Sequence, residues 1–119
     1  AEAAGLLTYR VDARGLEVVS IDSQYTGTGV ATGLLAAAAE VGRREGAARL
    51  WLITTNDNTG ALRFYQRRGL DLVALHYDAI AVSRTLKPEI PDRGAHGIPI
   101  RHELALELRL DQGQVIGRR

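Results

Sequence analysis

The chain contains no cysteine and no methionine, three prolines, and a single lysine, Lys87, among fifteen basic residues. Without cysteine there is no disulfide, no thiolate zinc site and no cysteine nucleophile. The missing methionine, at position 1 as elsewhere, means either that an initiator before Ala1 was removed or that the sequence starts inside a longer one. Charge of one sign is also lacking: fifteen basic against fourteen acidic residues leave a net charge of +1. The aromatics are Trp51, Phe64 and four tyrosines, too few to interleave with a basic surface, so nucleic acid is not an expected partner. No apolar run reaches the roughly 18 residues needed to cross a bilayer and nothing reads as a signal peptide, so a membrane is not expected either and the expected setting is the cytoplasm. His76, His96 and His102 lack the i,i+4 spacing of a helical metal site, so no metal is expected.

What is present is an ordinary globular composition, 45% hydrophobic and 24% charged over 119 residues, which fits one domain spanning residues 1–119. Residues 5–11 and 16–21 are rich in strand formers and flank the turn-like Asp12-Ala13-Arg14-Gly15, which predicts an antiparallel hairpin. From Val30 the apolar period becomes helical through Leu34, Ala38 and Val41, with Gly46 as the stop. Residues 49–55 read as a strand buried on both faces. Asn56-Asp57-Asn58-Thr59 offers several N-caps, and residues 61–68 read as a helix ended by Gly69. A strand over 70–75, a helix over 78–86, a turn-rich loop over 88–97, a closing strand over 98–110 and a frayed polar tail over 111–119 complete the order β-β-α-β-α-β-α-β. This is an α/β fold with helices flanking a mixed, mostly antiparallel sheet. Its expected core draws on Leu7, Val18, Ile21, Leu34, Trp51, Ile53, Phe64 and Val73.

The stretch Tyr25-Thr26-Gly27-Thr28-Gly29-Val30-Ala31-Thr32-Gly33 joins a strand to the first long helix. Glycines there let backbone N–H groups point at an anion, and the helix terminus adds partial positive charge. The same glycines also read as plain turn residues. A Walker loop is excluded, because no lysine is present. A dinucleotide fingerprint is excluded too, because Glu45, the acid at about the right distance, falls at the helix end rather than at a second strand end.

The run strand, Gly-x-Gly-Val-Ala-Thr-Gly-Leu-Leu helix, Leu-Trp-Leu strand, and then Asn58-x-x-Ala61-x-x-Phe64-Tyr65-x-x-x-Gly69-Leu70 resembles the GNAT family of N-acetyltransferases over residues 5–76. That family's Arg/Gln-x-x-Gly-x-Gly/Ala signature fits in two registers. Gln24-x-x-Gly27-x-Gly29 matches letter for letter. Thr26-x-x-Gly29-x-Ala31 lacks the first letter but sets Leu34-Leu35 on the family's paired leucines and Tyr25 on its aromatic, and is preferred. Residues 83–91 and 97–101 also resemble C-terminal segments of a bacterial subgroup.

The resemblance implies acetyl-CoA as co-substrate and direct transfer of its acetyl group to an amine, carried by a small molecule or a protein. It places pantetheine contacts on Ile21, Asp22 and Ser23, one of whose N–H groups polarises the thioester carbonyl. It places pyrophosphate contacts on Thr26, Gly27, Thr28, Gly29, Val30, Ala31 and Thr32, and a pantetheine contact on Asn58. It makes Tyr65 the residue that protonates the departing thiolate, a role that suits a phenol with an ordinary pKa near 10. The family's glutamate position falls on Ile53. Asp22, Glu17 and an ordered water are the other candidate bases, and the base stays unassigned. Arg67 and Arg68 can either reach a cofactor phosphate or form a solvated helix end. Other readings are a catalytically silent acyl-CoA-binding or dimerising module and a plain nucleotide-phosphate binder. Set against the family, the chain starts just before the third strand, so it reads as an N-terminally short GNAT-like domain whose open sheet edge a second copy, as a homodimer, or a separate piece could cover.

Overall fold

Asp12 makes the first turn. Its carboxylate accepts hydrogen bonds from the Arg14 backbone N–H at 2.8 Å and from Arg14 Nη2 at 3.0 Å. The turn joins β1 (Gly5–Asp12) to β2 (Gly15–Ser23), and the two strands pair antiparallel along their whole length. Gly15, with φ at +117°, opens β2 in a conformation that side chains resist, and a Cβ there would lie 2.6 Å from the Arg49 carbonyl oxygen. That close approach sets the start of β2 against the start of β3 (Arg49–Thr55).

The computed structural model describes residues 5–23 and 29–117. After β2 come α1 (Val30–Arg44), β3, α2 (Thr59–Arg67), β4 (Asp71–His76), α3 (Ala79–Leu86) and β5 (Glu103–Arg109). The five strands form one sheet in the order β1-β2-β3-β5-β4, antiparallel except for β2 beside β3. The expected mixed, mostly antiparallel α/β fold is therefore the observed one. No helix among the described residues is long and apolar enough to cross a membrane.

The parallel pairing is short. Leu16 pairs with Leu50 and Glu17 with Trp51, and no further pair follows. Two residues on, Val19 is an extra residue in β2: Thr8 faces Ser20 while Tyr9 faces Val18. A bulge of this kind bends its strand and increases the twist. It turns β2 away from β3 while leaving it paired to β1, so the two strands open from a common apex.

Leu16, Leu35, Leu50, Leu106 and Leu108 are the largest fully buried side chains. They join Val18, Leu52, Tyr65, Leu70 and Leu110 in one cluster between the sheet and helices α1 and α2. Each buried leucine contributes about 1.5–3 kcal/mol by leaving water. Val18 and Trp51 are buried as expected from the sequence, and Leu7, Ile21 and Phe64 are partly buried against the cluster; Leu34 is half-buried.

Ile53 and Val73 are corrections, at 39% and 47% exposed. Ile53 alternates with Leu52 onto the opposite face of the sheet. Val73 falls at a register irregularity in the edge strand β4. Strand 49–55 is thus buried on both faces only over Leu50, Trp51 and Leu52. On the far face the Trp51 ring lies under the guanidinium groups of Arg14 and Arg49, at 5.2 and 4.8 Å from its centroid.

The closing strand begins at Glu103, not at residue 98. Pro99 cannot donate to a ladder, and Asn56 takes over the backbone of that stretch. Its Oδ1 accepts from the N–H groups of Arg101 and His102 at 2.9 Å, and its Nδ2 donates to the Pro99 carbonyl at 2.9 Å. In the tail expected to fray, the Gly117 N–H donates to the Arg68 carbonyl at 2.8 Å, the Gln114 carbonyl accepts from Arg43, and Gln114 Oε1 accepts from the Arg109 N–H.

Gly15 and Gly46 both have positive φ, but only Gly15 faces a neighbour, since nothing lies within 4 Å of a Cβ at Gly46. Gly46→Ala is expected to cost about 1 kcal/mol of strain, and Gly15→Ala about 3 kcal/mol or more. Urea midpoints of the two variants check this; equal losses would contradict the close approach of Gly15 to β3.

Candidate active site

The opening between β2 and β3 lies at the C-terminal ends of both strands, where the chain enters α1 on one side and α2 on the other. Beyond the Glu17–Trp51 pair the facing edges of the two strands have no ladder partner in each other, so backbone groups line the gap. Val18 and Leu52, the first residues past the apex, belong to the same buried cluster as Tyr65.

Ile21, Asp22 and Ser23 sit at the end of β2, on the diverging stretch, with Asp22 exposed and Ile21 half-buried. Thr26, Gly27 and Thr28 lie outside the described residues, as do Gln24 and Tyr25. Gly29 is the N-cap of α1 in the left-handed region, φ 84°, and supplies no side-chain cap. The first turn, Val30-Ala31-Thr32, holds no acidic residue, and the first intrahelical bond runs from the Gly33 N–H to the Gly29 carbonyl at 2.9 Å. Among the described residues the amides before Gly33 have no acceptor within the helix, and they stand at the positive end of its dipole. Thr32 is buried, and its Oγ1 accepts from Arg68 Nε at 2.8 Å. Arg68 crosses from the end of α2, with its guanidinium 4.7 Å from the Phe64 ring centroid.

Asn58 is the N-cap of α2, and its Oδ1 accepts from the Ala61 N–H at 3.2 Å. That bond uses the oxygen and leaves the Nδ2 hydrogens for another acceptor. Tyr65 is 8% exposed, and its ring meets Phe64 edge-on at 5.5 Å between centroids. Burial pushes the Tyr65 phenol above the ordinary tyrosine value, because the phenolate is the form that loses most from desolvation. Tyr65 is therefore a proton donor throughout the neutral range.

Of the candidate bases, Ile53 is apolar, and Glu17 is held by Arg10, whose Nη2 lies 2.8 Å and whose Nε lies 2.9 Å from Glu17 Oε1. Asp22 is the exposed carboxylate on the diverging strand. Among the described residues no group of three or more His, Asp or Glu side chains could hold a metal ion. His102 instead stacks on Tyr77 at 4.9 Å, and its Nδ1 accepts from the Asp78 N–H at 2.8 Å.

In the sequence Asn56, Asp57, Asn58 and Thr59 read as several possible N-caps, and the structure gives the first three different tasks. Asn56 holds residues 99–102. Asp57, buried, accepts from Thr55 Oγ1 at 2.6 Å and from the Ala95 N–H at 3.2 Å, and Asn58 caps α2. The segment between β4 and β5 is thereby fastened to the entrance of α2. Arg84 completes the fastening by donating to the Pro91 and Ile100 carbonyls at 2.8 and 2.7 Å. The sequence signal was three successive short polar side chains followed by a helix, which names a cap without naming the other partners.

An opened parallel pair with a helix N-terminus at its mouth is the arrangement that the resemblance to acetyltransferases leads one to expect. The Acetyltransferase (GNAT) family matches residues 2–70, and the chain belongs to that family. It is 39% identical over 110 residues to the uncharacterized protein YdhI of Bacillus subtilis, covering 92% of this chain and 69% of that protein. It is 44% identical over 102 residues to the uncharacterized YxbD of the same organism, covering 86% of this chain and 64% of that protein. The chain thus spans about two thirds of the length of these relatives.

A Bacillus subtilis acetyltransferase solved in complex with CoA superposes with a TM-score of 0.76 at 24% identity, over 91% of this chain and 70% of that one. A GNAT acetyltransferase from Elizabethkingia anophelis with acetyl-CoA bound gives 0.75 at 20% identity, over 91% and 69%. At these identities the likeness is one of fold.

The raised phenol of Tyr65 has a consequence for stability. With a folded value above the unfolded one near 10, Tyr65 contributes nothing pH-dependent below pH 10; above it the unfolded chain ionises first and stability falls as pH rises. Tyr65→Phe is expected to flatten that alkaline decline, measured as ΔG of unfolding between pH 9 and 11; parallel curves for the two proteins would contradict the burial of the phenol.

Proposed function

We propose that the chain is the catalytic part of an acetyl-CoA-dependent N-acetyltransferase that moves an acetyl group directly to an amine. The observation that carries this reading is the separation of β2 from β3 beyond Glu17–Trp51, with the uncapped first turn of α1 at its mouth. The residues fit the acyl carrier. A gap walled by backbone edges takes an extended amide chain, Asn58 Nδ2, which the capping bond does not use, is the side-chain donor assigned to it, and the first turn of α1, without a side-chain cap or an acidic residue, suits a diphosphate. When bound, acetyl-CoA supplies an acyl group activated as a thioester.

In this reading the amides of Ile21, Asp22 and Ser23 lie along that chain, and one of them donates to the thioester carbonyl oxygen, where negative charge develops during attack. Gly29, Val30, Ala31 and Thr32, together with Thr26, Gly27 and Thr28 of the preceding loop, hold the phosphates. Tyr65 gives its proton to the departing sulfur, and its burial keeps that proton in place at neutral pH. The acceptor is an amine, on a small molecule or a protein, and the setting is cytoplasmic. A second copy of the chain, or a separate piece, is the proposed cover for the open sheet edge at β1.

A second reading has its own support. The family's glutamate position is Ile53 and Glu17 is tied to Arg10, so a catalytically silent acyl-CoA-binding or dimerising module also fits.

Calorimetric titration with acetyl-CoA is expected to show one site per chain, and absence of binding in the full-length protein would remove both acyl-CoA readings and leave only the dimerising module. Release of CoA across a panel of amines separates enzyme from module: turnover with any amine selects the enzyme. Tyr65→Phe is then expected to lower kcat by about 10²-fold or more while acetyl-CoA affinity stays within about threefold of wild type. Unchanged kcat would take the proton-donor role from Tyr65.

A further inference from the structure

Four half-buried arginines in this chain come with carboxylates. Arg43 meets Glu40 at 2.6 Å, Arg49 meets Glu107 at 3.1 Å, Arg109 meets Asp111 at 2.6 Å, and Arg84 meets Asp92 at 4.0 Å. Arg68 is also half-buried, and among the described residues it is the exception, with no carboxylate partner. Its neighbour Arg67, like Arg44, Arg63 and Arg93, is exposed, where water solvates the charge. Among the described residues the Arg68 side chain has the Thr32 hydroxyl on Nε and the face of Phe64. Its Nη1 is buried with no hydrogen-bond partner among the described residues.

A half-buried cation without a counter-ion is costly, and an unsatisfied buried donor adds to that cost. The location deepens the imbalance. Thr32 lies in the first turn of α1, where the dipole places roughly half a positive charge and where no acidic residue stands. Two positive features therefore converge with nothing negative from the described residues between them. An anion between them would relieve their mutual repulsion.

We infer that Arg68 is a phosphate-binding residue: with Thr32 and the first-turn amides of α1 it binds the diphosphate of the acyl carrier. This rests on the acetyl-CoA reading above. Arg68 Nη1 donates to a phosphate oxygen, a charge-assisted bond. Arg68 Nε, by donating to Thr32 Oγ1, uses that hydroxyl as an acceptor and leaves its own proton for a second oxygen. The site thus spans α1 and α2, and the anion closes a contact between the two helices that the protein alone leaves incomplete. Arg67, one residue earlier, is exposed and takes no part.

The test is calorimetric titration of CoA and dephospho-CoA into the wild-type chain, Arg68→Gln, Arg68→Lys and Arg67→Gln, with circular dichroism to check folding. Arg68→Gln is expected to weaken CoA binding about 10- to 100-fold, the range of one charge-assisted hydrogen bond. The same factor is expected for dephospho-CoA, which keeps the diphosphate and lacks the 3′-phosphate. Arg67→Gln is expected to stay within about threefold of wild type, as for an exposed charge. Inorganic pyrophosphate is expected to raise the Tm of the wild type and not of Arg68→Gln, a difference that a purely structural tie between the helices would not produce.

Wild-type affinity for CoA in Arg68→Gln would overturn the inference, and so would a loss that disappears with dephospho-CoA. If Arg68→Gln fails to fold, Arg68→Lys decides. It keeps the charge and loses the fork, and is expected to bind CoA about 3- to 10-fold more weakly; equal affinity would overturn the assignment. A wild-type chain that binds no CoA fails the acetyl-CoA reading itself, and that outcome involves no variant.

Discussion

Two backbone pairs, Leu16 with Leu50 and Glu17 with Trp51, hold β2 against β3, and the rest of the molecule depends on their being only two. Gly15 lets the strands meet, because no side chain stands between it and the Arg49 carbonyl. Leu16 and Leu50, both fully buried, fix the apex in the core. The extra residue at Val19 then turns β2 aside. A longer ladder would satisfy more backbone groups and close the gap. The bulge exchanges that stability for a slot lined by peptide edges, the kind of local departure from regular structure that marks functional sites.

The second level of organisation is polar. Asn56, Asp57 and Asn58 follow β3 directly and fasten three different pieces of chain: residues 99–102, the Ala95 amide and the start of α2. The segment between β4 and β5 is therefore tied to the same corner that carries Asn58, although it lies far off in sequence. On the other helix the Arg68–Thr32 bond links the end of α2 to the start of α1. Both ends of α2 are thus anchored by side-chain hydrogen bonds to the elements that border the gap.

Much of this was legible in the residues. The hairpin followed from the turn chemistry of Asp12 to Gly15, α1 from its helical apolar period and the stop at Gly46, and the family from the loop glycines with Asn58 and Tyr65 in their helix. The core was less legible. Ile53 is β-branched and sits in an apolar run, yet alternation puts it on the face without a helix, and composition cannot tell which face of a strand is covered. Residues 98–102 alternate like a strand, but Asn56, more than forty positions away, takes their hydrogen bonds. The bulge at Val19 left no local signal, because it is a relation between two strands. The exceptional position of Arg68 was equally hidden: Arg67 and Arg68 look alike until burial separates them.

The central claim is that the separated stretch of β2 and the first turn of α1 form one binding surface for the acyl carrier. Amide hydrogen exchange with and without acetyl-CoA tests it most directly. The account expects slowed exchange within residues 18–32, from the end of β2 to the first turn of α1, with the β3–β5 ladder unchanged. Acetyl-CoA binding that leaves those amides exchanging as before, or protects a different part of the chain, would contradict it.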